Sequence, residues 1–123
     1  MRILIALVAL LTPIVTYAAG ITIKSMAHST YLCGENGLVI KTSGLIAKIG
    51  DEDGYKMLSS DNEPGSDKFP GSLSVQYAKS SPLSANANWF SLTLTKHTEF
   101  IALTYVNSLK KIELIGRGCQ VVE

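Results

Sequence analysis

The chain has 123 residues, of which 46% are hydrophobic, and its 11 Lys and Arg residues nearly balance its 10 Asp and Glu residues. This length accommodates one domain with one hydrophobic core and leaves no room for a second. The balanced charge argues against binding of RNA or DNA through phosphate neutralisation, which requires a basic excess.

Residues 1–18 predict a secretory signal peptide. Arg2 supplies the positive charge, a continuous apolar run follows, and small residues end the segment at Ala18. The apolar run is shorter than the roughly 20 residues of a membrane-spanning helix, and Pro13 interrupts it, so we expect cleavage rather than anchoring. The mature domain is then residues 19–123, and without Arg2 it carries equal numbers of basic and acidic residues.

The chain has two cysteines, Cys33 and Cys119. A signal peptide together with two cysteines indicates an oxidising compartment and one disulfide, although two reduced, buried cysteines are the alternative. A bridge would tie the first strand of the mature chain to the last. It would close a loop of 86 residues, which the chain-entropy model equates with about 4.6 kcal/mol of stabilisation.

Alternation of apolar and polar residues with a period of two, and runs of β-branched and aromatic residues, predict antiparallel strands along most of the mature chain. Segments rich in Ser, Asp, Asn, Gly and Pro predict the exposed loops. The predicted strands are residues 30–33, 38–41, 73–77, 90–95, 100–106 and 111–115; the predicted turns and loops are residues 34–37, 58–70, 80–88 and 96–99.

Residues 42–49 indicate a helix instead. Thr42 or Ser43 can cap its N-terminus, and one helical face would carry the apolar side chains Leu45, Ile46 and Ile49. Glycines limit this helix to about Gly50, or distort it if it continues to Met57. The predicted fold is therefore α+β, with one α-helix packed on an antiparallel sheet of four to five strands.

The motif Tyr31-Leu32-Cys33 after a signal peptide, a helix after the first hairpin and a lone late cysteine resemble the RNase-like secreted effectors of powdery-mildew fungi. Those proteins share the fold of the small guanyl-specific ribonucleases. Further along, Lys68-Phe69-Pro70 stands where the ribonucleases carry Glu-Phe-Pro, and Tyr77 precedes a Ser-Ser-Pro loop similar to theirs. In loose form the resemblance covers the whole mature chain.

The departures from that pattern remove the ribonuclease chemistry. The position of the general base holds Lys68, that of the arginine falls at Asn88 or Trp89, and that of the general acid falls near Tyr105 or Val106. Positioned acid–base groups contribute roughly 10²- to 10⁴-fold to such reactions. The resemblance therefore implies a nuclease scaffold without catalytic residues. We also expect no cofactor and no metal, because the two histidines, at positions 28 and 97, lack ligand spacing.

The function that the resemblance implies is that of a secreted, catalytically inactive effector, delivered into a host cell and acting as a monomer without a membrane. Its partner would be a host protein, plant immune receptors among them, with weak RNA binding as a further interaction. Trp89 either packs in the core or stands at the rim of the vestigial cleft. The candidate binding surface consists of Trp89, Lys96, His97, Lys110, Lys111 and Arg117.

Two other classes remain open. One is an active secreted ribonuclease that uses other residues, which the neutral charge disfavours. The other is a periplasmic lysozyme inhibitor, a small β-rich domain that pairs a Tyr-x-Cys-x-x-Gly start with a late cysteine. Here Gly37 comes one residue late for that spacing. The helix expected after Lys41 argues against this class, because those inhibitors are barrels without a helix there.

Overall fold

In the computed structural model, which describes residues 21–122, buried and more exposed side chains alternate along the longest strands. One face of each strand lines a core and the other faces outward, as in a sheet that closes on itself. Eight antiparallel strands form a closed barrel in which each strand pairs with its sequence neighbours and the last pairs with the first. The elements are α1 (Ile23–Met26), β1 (Thr30–Cys33), β2 (Leu38–Ser43), β3 (Ile46–Ile49), β4 (Glu52–Glu63), β5 (Ser72–Ala78), β6 (Asn88–Thr95), β7 (Phe100–Asn107) and β8 (Ile112–Val121).

The predicted α+β fold is therefore wrong, and so is the ribonuclease-like fold that the resemblance implied. Within residues 21–122 the one α-helix is the four-residue α1, and the strands form a barrel rather than a four- to five-stranded sheet beside a helix. No helix in this range is long and apolar enough to cross a membrane. The predicted signal peptide, residues 1–18, lies outside the described residues.

The helix predicted over residues 42–49, or onward to Met57, is replaced by strands and hairpin turns. Along β3 the burial alternates, since Ala47 and Ile49 point into the core while Ile46 is 57% exposed. Gly44 and Gly50 occupy the turns on either side of β3 with φ angles of 74° and 59°, a region that glycine enters without steric cost. The buried residues thus follow a period of two, while the apolar Leu45 and Ile46 are exposed, and a short apolar run does not distinguish such a strand from a helical face.

The predicted strands at residues 30–33, 38–41, 73–77, 90–95 and 100–106 are confirmed, as are the turns at residues 34–37 and 96–99. The last strand, predicted over 111–115, extends much further to Val121. The loop predicted over residues 58–70 is wrong in its first half, because β4 continues to Glu63 and pairs there with β5. The loop predicted over residues 80–88 occupies 79–87, and Asn88 begins β6.

Aromatic side chains fill the barrel. Tyr31, Tyr55, Tyr77 and Phe90 are all completely buried. The ring of Phe90 lies 5.3 Å from that of Tyr77, nearly parallel, and 5.3 Å from that of Tyr55, tilted. Such pairs add about 0.5–1.5 kcal/mol to the free energy gained by burying the rings themselves. The core therefore combines these large rings with aliphatic side chains such as Ile40, Leu92 and Leu103.

The barrel has two different ends. The turns at residues 34–37, 50–51, 79–87 and 108–111 form what we call the upper end; α1 and the turns at residues 44–45, 64–71 and 96–99 form the lower end. At the lower end α1 places Met26 in the core. The carbonyl of Met26 accepts hydrogen bonds from the hydroxyls of Tyr31 (2.6 Å) and Thr42 (2.9 Å), which fixes the helix to β1 and β2.

Candidate functional site

A polar cluster surrounds the carboxylate of Glu52 at the upper end. Glu52 Oε1 accepts hydrogen bonds from the Tyr105 hydroxyl (2.9 Å) and from Asn107 Nδ2 (3.1 Å), and Lys110 Nζ lies 3.2 Å from Oε2. The hydroxyl of Tyr55 lies 3.2 Å from the same Oε1 and also contacts the side-chain oxygen of Asn88. Because that hydroxyl has one proton, it donates to only one of these oxygens at a time. The cluster joins β4, β6 and β7 across the barrel.

Opposing effects set the pKa of Glu52. Burial raises the pKa of Glu52, but hydrogen bonds from Tyr105 and Lys110, together with the charge of Lys110, lower it by more. The pKa of Glu52 therefore lies below its usual value. Burial raises the pKa of Tyr55 and of Tyr105. At neutral pH, Glu52 is therefore ionised and the tyrosines are neutral. Since its oxygens already accept several hydrogen bonds, this arrangement suits a structural cap better than proton transfer.

A slot opens in the barrel wall between the first half of β8 and the β1–β2 turn. Its cause is a difference in strand length: β1 has four residues and β8 has ten. Pairing between them is limited to Tyr31–Val121, Leu32–Gln120 and Cys33–Cys119, followed by a hydrogen bond of 2.9 Å from the Gly34 amide to the Gly118 carbonyl. Beyond that point β1 has ended while β8 continues toward the upper end.

The slot is a cavity of about 740 Å³ with a largely apolar floor and walls. Leu103 and Tyr105 of β7 form its floor, although both are nearly inaccessible to solvent. The walls carry side chains of intermediate burial that also pack against the core, namely Leu38, Ile112 and Leu114. Three exposed charged residues lie at its rim: Glu35 and Asp51 on turns, and Arg117 on β8. An apolar recess with a few charged groups is a typical binding site.

The disulfide predicted between Cys33 and Cys119 is confirmed, and the two residues face each other directly at the β1–β8 seam. Tyr31, the other residue of the sequence motif, is buried two residues earlier in β1. The motif thus combines a core residue with the covalent closure of the barrel.

The three positions matched to ribonuclease catalytic residues do not share a cleft. Lys68 lies in the exposed β4–β5 loop at the lower end. Trp89 is partly buried on the outer face of β6, between Ala78 and Val106 of the neighbouring strands, so it is neither a core residue nor beside Tyr105. Tyr105 points into the barrel and binds Glu52.

The predicted binding surface is divided between the two ends. Lys110 and Lys111 lie in the β7–β8 turn at the upper end, and Arg117 lies at the slot. Lys96 and His97 lie at the lower end, where Lys96 Nζ donates a hydrogen bond of 2.7 Å to the side-chain oxygen of Asn62. The structure therefore brings together only part of the predicted set.

The two histidines both lie at the lower end, outside any ligand cluster. His28 is exposed, and its Nδ1 lies 3.0 Å from the Lys24 carbonyl; His97 is exposed in the β6–β7 turn. Over residues 21–122, no group of three or more His, Cys, Asp or Glu side chains could hold a metal ion.

Sequence reasoning did not single out Glu52, Tyr55 or Asn107, which form the polar cluster with Tyr105 and Asn88. Tyr55 was assigned to a possible helical extension, and Asn88 to a loop and, with Trp89, to the position of the ribonuclease arginine. A signal existed in Asn107, which directly follows the predicted strand 100–106, and in Asn88, two residues before the predicted strand 90–95; both fall on the inward side. Comparison with protein-family models, with curated proteins and with solved structures finds no match for this chain.

Proposed function

We propose that this protein is a secreted binding domain that inhibits a lysozyme-type glycosidase. The observation that carries the proposal is the closed antiparallel barrel, with a Tyr-x-Cys motif in its first strand and a disulfide from that strand to the last. These are the features by which the chain resembles periplasmic lysozyme inhibitors. The late position of Gly37 is the departure from their pattern.

The strongest sequence argument against this class no longer applies. A helix after Lys41 would be foreign to a lysozyme-inhibitor barrel, but the chain continues there as β2, turns at Gly44 and returns as β3. By contrast, the effector function relied on a ribonuclease-like fold that this chain does not have. We therefore do not carry forward delivery into a host cell or binding to an immune receptor.

Within the upper end, the β7–β8 turn is the candidate inhibitory loop, because it carries Lys110 and Lys111, whereas the neighbouring turns carry the acidic Glu35 and Asp51. Glycosidases of the lysozyme kind hydrolyse their substrate with a pair of carboxyl groups, so an exposed cationic loop complements their cleft. In the β7–β8 turn, Lys110 is engaged with Glu52, while Lys111 is exposed and makes no ion pair among the described residues. Lys111 has a φ of 57°, and Glu99, the last residue of the lower-end turn before β7, has a φ of 58°, so both turns end in the left-handed conformation.

The test is inhibition of purified animal-type lysozymes by the oxidised domain, residues 19–123, measured by clearing of a bacterial cell-wall suspension. We expect inhibition that saturates near one inhibitor per enzyme and disappears when the disulfide is reduced. Lys111→Ala should weaken inhibition about tenfold or more, as expected for loss of a desolvated charge pair. Lys96→Ala, a lysine at the opposite end, is the matched control and should leave inhibition unchanged.

Absence of inhibition at a large excess over chicken-type, goose-type and invertebrate-type lysozymes would refute the proposal. If Lys111→Ala and Lys96→Ala weakened inhibition equally, the protein would still be an inhibitor, but the upper end would not be its inhibitory surface. RNA cleavage by the same preparation, abolished by reduction, would instead support the ribonuclease alternative.

A further inference from the structure

We infer that the slot beside β8 takes up an extended segment of a partner protein, which pairs with the free edge of β8 as an additional strand. The proposed site is the slot and not the β7–β8 turn, and the partner need not be a lysozyme. In β8 the backbone of Ile112–Leu114 pairs with β7 on one side and with no described strand on the other.

The free edge has the chemistry of a strand-docking site. Within residues 21–122, no strand pairs with β8 on its slot side above the Cys33–Cys119 bridge. A strand edge presents backbone N–H and C=O groups that another extended chain can pair with. A compact apolar ligand could fill the slot but would leave those groups unpaired, so an extended peptide fits the surface better.

The slot also fixes the length of the docked strand. Between Leu103 and Tyr105 the register of the β7–β8 pair shifts, because Leu103 faces Arg117 while Tyr105 faces Leu114. This places a bulge at Ile115 and Gly116, and a bulge bends the edge and interrupts further pairing. The regular edge is therefore the three residues Ile112–Leu114, and the partner segment should pair over that length.

Side chains define what the partner segment should look like. Ile112 and Leu114 turn toward the slot, whereas Ile115 is 70% exposed on the outer side. A strand with apolar residues at alternate positions would cover the first two with one face. The acidic residues Glu35 and Asp51 on the opposite rim favour a lysine or arginine at one end of the segment.

Other segments of this chain are poorly placed to fill the slot. The first described residues, Ile21 and Thr22, line a recess at the lower end with Leu73 and Leu94. At the other terminus, the Val122 amide donates a hydrogen bond of 2.8 Å to the Thr30 carbonyl, also at the lower end. The slot opens toward the upper end, whereas both ends of the described chain lie at the lower end.

The test uses the oxidised domain, residues 19–123, with a capped hexapeptide of one lysine followed by alternating valine and threonine. Two N-methylated versions carry the methyl groups on alternate backbone amides, so that each blocks a different edge of the peptide. Hydrogen exchange and amide chemical shifts report binding at Ile112–Ile115. We expect slower exchange there, retained binding by one methylated peptide, and weakening by about tenfold or more for the other, since it loses its backbone hydrogen bonds.

A pair of protein variants gives an independent readout. Ile115→Lys places a charge beside the docked strand on an exposed position and should weaken peptide binding several-fold. Leu45→Lys makes the same change at a side chain of similar exposure, 73%, in the β2–β3 turn at the lower end, and should not. No shift at residues 112–115 with millimolar peptide would overturn the inference. Equal binding by both methylated peptides would overturn it too, because side-chain contacts alone would then explain binding.

Discussion

The wall formed by β5, β6 and β7 and the seam between β8 and β1 are joined in different ways. In the wall, ladders of seven and eight residue pairs connect neighbouring strands without interruption. At the seam, three pairs connect β8 to β1, and a disulfide joins the last opposed residues of these two strands. The wall is held by many strand pairs, whereas the seam combines a few pairs with one covalent bond. The slot lies beside the seam, where three residue pairs connect the two strands.

The largest expected effect comes from removing the covalent bond at the seam. Cys33→Ala combined with Cys119→Ala should lower the free energy of unfolding by about 4–5 kcal/mol, because the unfolded chain regains the entropy of an 86-residue loop. Denaturant unfolding followed by tryptophan fluorescence measures this. The wild-type protein under reducing conditions is the control and should behave in the same way. A loss below about 1 kcal/mol would show that three strand pairs suffice to close the barrel.

A cavity in the wall should cost somewhat less. Leu92→Ala in β6 removes a completely buried side chain, and we expect a loss of about 3 kcal/mol from lost burial and imperfect collapse. The same unfolding experiment measures it. Exchange of the β1 and β8 amides should stay as slow, relative to the rest of the barrel, as in the wild type. Selective opening of the seam in this variant would contradict the separation of wall and seam.

Glu52→Gln tests the polar cluster that connects β4 to the wall. At neutral pH we expect a loss of about 1–2 kcal/mol, because the carboxylate oxygens accept buried hydrogen bonds from Tyr105 and Asn107. The folded-state pKa of Glu52 lies below its unfolded value, so its contribution is present above the unfolded pKa and lost as pH falls through the folded pKa. The stability difference between variant and wild type should therefore shrink on acidification. A difference that grows toward low pH would contradict the direction of the shift.

The smallest effect is expected at the tip of the β7–β8 turn. Lys110→Ala removes an ion pair with Glu52 in which the lysine side chain is 56% exposed, so we expect a loss of no more than about 0.5 kcal/mol. Raising the salt concentration should reduce it further. Lys96→Ala, which breaks one exposed hydrogen bond at the lower end, is the comparison. A clearly larger loss for Lys110→Ala would mean that the turn helps to hold the upper end closed.

The wall was predictable from sequence, and the seam only in part. The period-two pattern located β5 and β6, and a nearly continuous run of apolar, β-branched and aromatic residues located β7; in all three strands every second residue is buried. The disulfide followed from two cysteines behind a predicted signal peptide. However, a pattern of short strands gives no direct indication whether a sheet stays open or closes, since closure depends on accumulated twist and tilt.

The largest error arose where strands are shortest. Between Ser43 and Glu52 the strand β3 has only four residues, and its apolar residues fit a helix as well as a strand. Gly50 was treated as a helix breaker and Gly44 was left inside the predicted helix, although a run bounded closely by glycines favours a hairpin. The second half of β4 was missed for another reason: residues 59–63 are polar on both faces because that part of the strand is exposed on both.

The polar cluster and the slot could not have been found from sequence. Glu52 and Lys110 are 58 positions apart, and only barrel closure brings them within 3.2 Å. The slot follows from the unequal lengths of β1 and β8, whose ends could not be located to better than a few residues.

An even number of antiparallel strands has a practical consequence for handling this protein. With eight strands the chain leaves the barrel at the end where it entered, so Ile21 and Val122 both lie at the lower end. A surface tether, fluorescent tag or fusion partner attached beyond either residue would therefore point the upper-end turns, including Lys111, away from the support. The shared end also suits circular permutation: a linker that spans the lower end could join the two residues while new termini are cut in the exposed residues 83–86 of the β5–β6 loop.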